Sequence, residues 1–280
     1  MLTALVFALL SSGPGSKASV ALSCCDPMSP MASDPSFIAA HLAPLPLNFT
    51  PRAGQDVKFK TSDGREANGF YVTPKTSHSP AIVMVHEWWG LNDYVKREAE
   101  RLHDELGCGV LAVDLYDGKV ASSPDQAGQL MQAAKPARST AIVEGAVKAL
   151  STGALGQKFT RCGTIGWCFG GGWSLQSAIA GGPFVKACVM YYGMPETDLA
   201  RLKMLKAPVL LVWAEQDKWI NKQVVDKFKE DMSAVHRSLT VLPYDAGHGF
   251  ANPSNPVYNK QDGDDAMKHS LEFFEKNLGN

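Results

Sequence analysis

Thr164 to Gly172 reads TIGWCFGGG, and this stretch decides the fold. The apolar residues before Cys168 are typical of a buried strand, and a helix is predicted to begin just after it. Gly166 and Gly170 flank a turn so tight that side chains there would collide with neighbouring backbone. We therefore predict a strand-to-helix turn with Cys168 at its apex, beside the positive end of the helix dipole. The alternative is a structural turn that holds an inert, buried cysteine.

Outward from this turn, apolar runs of strand length alternate with amphipathic stretches of helical length. Such alternation predicts an α/β protein whose mostly parallel sheet carries helices on both faces. Two short runs around Ser62-Asp63-Gly64 predict an N-terminal antiparallel hairpin. The predicted strands are Asp56–Lys60, Asn68–Val72, Ala81–His86, Val110–Leu115, Arg161–Trp167, Val185–Tyr191, Pro208–Ala214 and Ser238–Tyr244, and the main helices are Asn92–Leu106, Pro124–Ala134, Pro136–Leu150, Gly171–Ala180, Asn221–Val235 and Asp264–Leu278.

Length and charge narrow the class of protein. The chain has 280 residues, which suits one large domain, and 27 Lys+Arg against 28 Asp+Glu give a formal charge of −1. A chain without net positive charge has no field to hold DNA or RNA, so no nucleic-acid partner is expected.

The N-terminal residues have the character of a leader. Met1 to Leu10 is an apolar run followed by small residues, too short to span a bilayer, and residues 1–23 are predicted to be a signal peptide of a secreted or periplasmic protein. A lipid anchor on Cys24 is an alternative. Residues 24–53 are predicted to be a linker that packs loosely, and residues 54–280 to be the folded domain.

Two later segments supply partners for Cys168. Asp217 stands just beyond the predicted strand that ends at Ala214, and His248 lies in a glycine-containing loop after the next strand. The order Cys, Asp, His along the chain is that of α/β-hydrolase triads, in which the histidine takes the nucleophile's proton and the acid fixes its tautomer. His41, like four other histidines, is expected at the surface.

The six cysteines show neither a disulfide framework nor a Cys-x-x-Cys zinc motif, and no metal or cofactor is expected. Three of them, Cys108, Cys162 and Cys188, are expected to be buried and inert. Cys168 is expected to be more exposed than these and to form thiolate more readily.

The segment after the third predicted strand also bears on the site. Glu87 is placed near Cys168, where a carboxylate could modulate ionisation of the thiol. The backbone N–H groups of Phe169 and Trp88 are the candidate oxyanion donors. His86 could line the same cleft, but its spacing does not fit a zinc-binding helix.

Jointly, these motifs resemble the dienelactone hydrolase family from about Gly54 to the C-terminus. The resemblance rests on His86-Glu87-Trp88-Trp89-Gly90-Leu91-Asn92, Asp114-Leu115-Tyr116, Gly166-Trp167-Cys168-Phe169-Gly170-Gly171, Tyr191-Tyr192-Gly193, Asp217 and Gly247-His248-Gly249-Phe250. It implies an α/β-hydrolase fold, a Cys-Asp-His triad, a regulatory carboxylate at Glu87 and cofactor-free hydrolysis of a small ester or lactone.

The resemblance is weaker at the substrate site. Family members that act on dienelactone carry two arginines where this chain has Gly118-Lys119 and Asn252, and a lysine does not reproduce a bidentate guanidinium. The candidate substrate contacts are His86, Trp89, Tyr116, Lys119, Tyr192 and Asn252. A thioesterase, and an inactive binding protein on a hydrolase scaffold, remain alternatives, because fold alone does not establish function.

Overall fold

The computed structural model describes residues 28–279, so the predicted signal peptide and Cys24 lie outside the described residues. Its centre is one eight-stranded sheet. The strands are β1 (Gly54–Lys60), β2 (Glu66–Val72), β3 (Ala81–Val85), β4 (Gly109–Val113), β5 (Cys162–Trp167), β6 (Val185–Tyr191), β7 (Val209–Ala214) and β8 (Leu239–Tyr244).

The sheet order confirms the predicted α/β architecture. The strands lie in the order β1-β2-β4-β3-β5-β6-β7-β8. β1 and β2 form the expected antiparallel hairpin, β2 pairs antiparallel with β4, and all remaining pairs are parallel. The four strands β3 to β6 are almost wholly buried and consist mainly of apolar residues, as strands covered on both faces must be.

The α-helices are α1 (Pro35–Ala40), α2 (Asp93–Leu106), α3 (Pro124–Ala133), α4 (Pro136–Thr152), α5 (Phe169–Gly181), α6 (Leu199–Leu202), α7 (Lys222–Ala234) and α8 (Lys260–Leu278). Helices α2 to α7 lie between the strands along the chain, α1 precedes β1 and α8 follows β8. The Asn92 side chain accepts the N–H of Val95 at 3.1 Å, which confirms it as the N-cap of α2. In the part of the chain that the structure describes, no helix is long and apolar enough to cross a bilayer.

The order in which successive strands are added to the sheet reverses at β3. β4 lies on one side of β3 and β5 on the other, so right-handed crossovers put the helices that follow β3 and β4 on opposite faces. In open α/β sheets the crevice at the carboxyl ends of the strands beside such a reversal is where ligands bind. Glu87 follows β3 and Cys168 follows β5, so both lie at this crevice.

The segment before β1 packs more closely than a loose linker would. A 3₁₀ helix (Ser29–Ser33) precedes α1, and Met28, Ala32 and Phe37 are all buried. We call residues 28–42 the cover segment. It packs closely against α3 at Gly128. A Cβ added to that glycine would lie only 2.8 Å from the Ala32 carbonyl oxygen. The sequence interpretation missed this packing because the segment is short and rich in proline and serine.

Candidate active site

Cys168 occupies the turn between β5 and α5 in a strained conformation. Its φ of 54° lies in the left-handed region, which non-glycine residues rarely adopt. The turn requires glycine on both sides: a Cβ on Gly166 would lie 2.0 Å from the Gly170 carbonyl oxygen, and one on Gly170 would lie 2.3 Å from that of Val85. The predicted tight strand-to-helix turn is therefore present, with Cys168 at its apex.

Asp217 and His248 form a hydrogen-bonded pair beside this turn. Asp217 follows β7 and His248 follows β8, and His248 Nδ1 lies 2.6 Å from Asp217 Oδ2. The other carboxylate oxygen accepts the backbone N–H groups of Trp219 at 2.8 Å and Ile220 at 3.0 Å. Both side chains are almost fully buried, so the pair is rigidly held.

The charges of this pair favour a protonated histidine. Burial disfavours the imidazolium, but the attraction of Asp217 and of the Cys168 sulfur outweighs it and raises the pKa of His248 to about 10. Burial would also raise the pKa of Asp217, yet His248 and the two backbone donors hold that pKa below its usual value. A positive charge is thus available next to the cysteine.

The thiol of Cys168 is sealed from solvent, contrary to the sequence expectation. Cys168 is 1% exposed, and the other three described cysteines are equally buried. Burial raises the pKa of the Cys168 thiol, and the nearby Glu87 carboxylate adds to this, while His248 lowers it. The expectation of greater exposure is wrong because it took no account of the cover segment.

Glu87 is a half-buried carboxyl whose charge is disfavoured. Burial raises its pKa to about 7, although His248 and the side chain of Asn252 stabilise the carboxylate. A group with this pKa is partly protonated near neutral pH and can donate or accept a proton there. The structure thus brings Glu87 close to Cys168 and His248, as predicted.

His41 lies over Cys168 and not at the surface, which corrects the sequence expectation. It is 4% exposed, and its Nε2 lies 3.8 Å from Cys168 Sγ. Its ring centroid lies 4.5 Å from that of Trp88 and 5.0 Å from that of His248. Burial, followed by repulsion from His248, lowers the pKa of His41 to about 3, so this imidazole is neutral.

The cover segment is attached to the site through aromatic contacts. Phe37 is fully buried, with its ring centroid 4.9 Å from that of Trp219 and 5.4 Å from that of Trp88. The Trp219 indole N–H donates to Asp34 Oδ2 at 3.2 Å. The sequence did contain a signal, since Asp34 followed by Pro35 is a helix start, and Phe37 and His41 share one helical face.

Three of the predicted substrate contacts are buried side chains that pack within the protein. His86 is fully buried, with Nδ1 2.5 Å from the Glu87 carbonyl oxygen, while Nε2 accepts the N–H of Leu115 at 3.1 Å. The Tyr116 ring packs on His86 with centroids 4.7 Å apart, and Trp89 is 2% exposed in the core. His86 and Tyr116 join the ends of β3 and β4, and all three side chains are buried in this arrangement, as Cys168 itself is.

The other three lie in different places. Tyr192 is buried at the site, with its ring centroid 4.9 Å from that of His248. Asn252 is buried next to Glu87. Lys119 is exposed and lines a surface pocket together with residues of β1 and β2, and that pocket includes no residue of the Cys168–Asp217–His248 group. The structure therefore places Tyr192 and Asn252 at the site and Lys119 outside it.

A cavity lies next to the site, and Glu87 and Asn252 form part of its wall. It has a volume of about 40 Å³ and runs between α2 and α8. Arg97 and Arg101 line it, but so do Glu98 and Glu87, so its wall carries both signs of charge. Its lining does not include Cys168.

Comparison with known proteins gives consistent matches. Residues 67–278 match the family described as "Dienelactone hydrolase family". The chain is 28% identical over 236 residues to a "Putative carboxymethylenebutenolidase" of Aquifex aeolicus, covering 80% of this chain and 99% of that protein. It is 26% identical over 211 residues to the "Carboxymethylenebutenolidase" of a Pseudomonas species, covering 72% and 87%.

Solved structures agree in fold. A dienelactone hydrolase-like promiscuous phosphotriesterase from metagenomic libraries superposes with a TM-score of 0.70 at 22% identity, covering 81% of this chain and all of that one. A putative dienelactone hydrolase from Klebsiella pneumoniae gives a TM-score of 0.68 at 21% identity, covering 80% and 100%.

Proposed function

The chain belongs to the dienelactone hydrolase family and is a hydrolase of the ester and lactone class, and from this premise we propose that its nucleophile is Cys168. The observation that carries the proposal is the Asp217–His248 hydrogen bond at 2.6 Å, beside a cysteine held in a strained strand-to-helix turn. Strained backbone concentrates at sites where the strain serves the mechanism.

The reaction proceeds through an acyl-enzyme. Cys168 and His248 share one proton: when it resides on His248, Cys168 is a thiolate beside an imidazolium, and this thiolate attacks the substrate carbonyl carbon. The developing oxyanion accepts hydrogen bonds from the backbone N–H groups of Phe169 and Trp88. Collapse breaks the C–O bond, and His248 returns the proton to the leaving oxygen. Water, deprotonated by His248, then hydrolyses the thioester and restores the thiol.

Glu87 modulates the first step. Its carboxylate raises the pKa of the Cys168 thiol, and its own pKa is raised to about 7 by burial. A protonated Glu87 removes that negative charge, so binding of a substrate that shifts its proton changes how easily the thiolate forms. Glu87 is thus a positioning and tuning residue in this mechanism.

The cover segment must move for catalysis. Cys168 is 1% exposed, and His41 lies over it, with the Phe37 ring packed 4.0 Å from the His41 ring. A substrate carbonyl has to come within about 3–3.5 Å of the sulfur to react. Displacement of residues 28–42 therefore precedes attack.

The substrate is a small, uncharged ester or lactone. No arginine stands at residues 118–119 or at Asn252, and exposed Lys119 does not line the site. An unmatched carboxylate would lose its hydration without gaining a partner, which is unfavourable.

We further propose that the protein is exported. The apolar run from Met1 to Leu10, followed by small residues up to Ser23, supports a cleaved signal, and Cys24 is the candidate lipidation site. The intact mass of the protein expressed from its full sequence in a bacterial host tests this. Retention of Met1 on all of the material would contradict it.

A panel of aryl esters, lactones and thioesters, assayed with the wild type and Cys168→Ala, tests the chemistry. We expect turnover of esters and lactones by the wild type and none by Cys168→Ala, with mass spectrometry detecting an acyl group on Cys168. Preference for thioesters would make the protein a thioesterase. Absence of turnover across the panel would indicate a binding protein on this scaffold.

A further inference from the structure

We propose that His41, Cys168 and His248 form a binding site for a thiophilic divalent metal ion such as Zn²⁺, which silences the hydrolase. Each residue offers one donor atom, and these atoms all lie within 4.8 Å of one another. Two imidazole nitrogens and one thiolate are a donor set that zinc prefers. The inference uses Cys168 as a ligand and so does not depend on its acting as a nucleophile.

In both histidines, Nδ1 is hydrogen-bonded to an acceptor, which leaves Nε2 to face the ion. His41 Nδ1 lies 2.7 Å from the Phe37 carbonyl oxygen, and a carbonyl can only accept, so this nitrogen carries the proton. His248 Nδ1 is held in the same way by Asp217 Oδ2. Metal-binding histidines typically donate Nδ1–H to a carbonyl or carboxylate, which turns the lone pair of Nε2 toward the metal.

Among the described residues, His248 Nε2 has no partner other than the Cys168 sulfur. It is buried and interacts with the nearby Cys168 sulfur but makes no well-formed hydrogen bond to any described residue. Binding of the ion would displace the proton that His248 and Cys168 share. His41 Nε2 lies 3.8 Å from Cys168 Sγ. A buried nitrogen without a well-formed hydrogen bond is unfavourable, and coordination of an ion would satisfy it.

The spacing suits one tetrahedral ion. Zinc binds sulfur at about 2.3 Å and imidazole nitrogen at about 2.0–2.1 Å, so ligand atoms around one ion lie roughly 3.3–3.6 Å apart. The His41–Cys168 distance of 3.8 Å is already near this value. Small side-chain adjustments would bring the three donors onto one ion and leave a fourth position for water.

Such an ion would have two effects. It would occupy the Cys168 sulfur, which could then not attack a carbonyl. It would also join the cover segment, through His41, to the loop after β8, through His248. The site exists only when the cover segment is in place, so the ion would favour the closed arrangement.

The first test measures metal binding without substrate. Full-length, chelator-treated protein is titrated with Zn²⁺ in competition with a chromophoric chelator, and with Co²⁺ to record the thiolate-to-cobalt absorption band. We expect one ion per chain, loss of the cobalt band in Cys168→Ser, and Zn²⁺ affinity lowered by more than about tenfold in His41→Gln. His41→Cys, which restores a zinc ligand, should recover most of the affinity.

His103→Gln is the matched control. His103 is also a buried histidine beside a cysteine, with its Nδ1 2.9 Å from the Cys108 carbonyl oxygen, but it lies near the start of β4, whereas the site lies at the carboxyl ends of the strands. The His103→Gln variant should bind Zn²⁺ with the affinity of the wild type. Thermal unfolding of every variant, with and without Zn²⁺, shows that each is folded and reports binding independently.

The second test is inhibition. Zn²⁺ should inhibit turnover of the best ester in the panel at concentrations that match its binding, and His41→Gln should require more than tenfold higher concentrations relative to its own uninhibited rate. Equal Zn²⁺ affinity of wild type and His41→Gln would overturn the inference. If the protein binds zinc but turns over no substrate, the metal-site inference stands and the proposed function is refuted.

Discussion

The two carboxylate oxygens of Asp217 accept three hydrogen bonds. The way these bonds are divided between the oxygens predicts the effect of replacing Asp217 by asparagine. Oδ1 accepts two backbone N–H groups and Oδ2 accepts from His248. An asparagine oxygen can keep the backbone contacts, but its NH₂ group cannot accept from His248. Asp217→Asn should therefore fold normally and lose about 10⁴ in kcat, because the tautomer of His248 is no longer fixed. Steady-state kinetics with circular dichroism measures both.

Cys168→Ala provides the reference for that result, since it removes the proposed nucleophile. The two variants should unfold at similar temperatures. An Asp217→Asn enzyme with wild-type turnover would mean that His248 does not act through Asp217.

Substrate charge is a second property decided by single residues. We predict that a lactone bearing a carboxylate is turned over no better than its methyl ester, because each missing arginine costs about 1.5–3 kcal/mol, or one to two decades in affinity. The comparison is of kcat/KM for the two substrates. Lys119→Ala should leave the ratio unchanged, since Lys119 is exposed outside the site.

The cavity beside Glu87 contains the residues that could reverse this outcome. If the wild type prefers the acid by tenfold or more, and Arg101→Gln removes the preference, the cavity arginines bind the carboxylate. The substrate class proposed above would then be wrong.

The predictability of single residues from the sequence was uneven. Asp217 and His248 were placed correctly because each follows a strand, and the ends of parallel strands converge. His41 was not, because its position depends on where a short segment folds back, which no local pattern encodes. Lys119, a candidate substrate contact, lines a separate surface pocket, and the direction in which its loop runs is not encoded by a local pattern.

At the scale of elements, the cover segment controls access to Cys168. Phe37→Ala removes a fully buried ring that contacts Trp88 and Trp219, and such truncations cost about 3–5 kcal/mol. We predict that this loosens the segment and speeds alkylation of Cys168 by tenfold or more. Brief treatment with iodoacetamide followed by mass spectrometry measures labelling of each cysteine.

Leu42→Ala is the control, because Leu42 belongs to the same segment but is 46% exposed. It should leave labelling of Cys168 unchanged. Cys108, Cys162 and Cys188 should react slowly in all variants, because burial raises the pKa of each thiol. Unchanged labelling of Cys168 in Phe37→Ala would mean that the segment does not limit access.

The regular elements were predicted within a few residues because strand and helix periodicities are local properties. β6 was predicted at its observed bounds, and α2 was recognised from its Asn92 cap. α8 begins at Lys260, four residues before the predicted start, because Asn259 caps it after a loop without apolar periodicity. α1 was missed because a six-residue helix is too short to show a period.

At the scale of the whole molecule, Glu100 fastens the start of the sheet to α2. It is almost fully buried, and one oxygen accepts the N–H groups of Arg52 at 2.7 Å, Ala53 at 2.7 Å and Gly54 at 3.0 Å. Burial opposes its charge, but these donors hold the pKa of Glu100 below its ordinary value of 4.5. The folded state therefore gains stability from this group above pH 4.5 and loses it as the pH falls through the lowered pKa.

We predict that Glu100→Gln lowers the free energy of unfolding by about 1–2 kcal/mol at pH 7, because a neutral amide accepts hydrogen bonds less strongly than a carboxylate. The deficit should shrink as the pH falls below 4.5. Urea unfolding of both proteins at several pH values measures it. Glu105→Gln, an exposed change on the same helix, should have no effect, and a deficit independent of pH would exclude the charge as its source.

The cover segment also bears on how long the enzyme survives. Peroxides convert a solvent-accessible thiolate to sulfenic acid and then, irreversibly, to sulfinic and sulfonic acids. Cys168 is 1% exposed beneath His41, and the pKa of its thiol is raised, so its sulfur is shielded from these oxidants while the cover segment is in place. The sulfur meets the surrounding medium only during the brief openings that turnover requires. Inactivation by oxidants should therefore depend more on the number of turnovers than on the time that the enzyme spends in an oxidising medium.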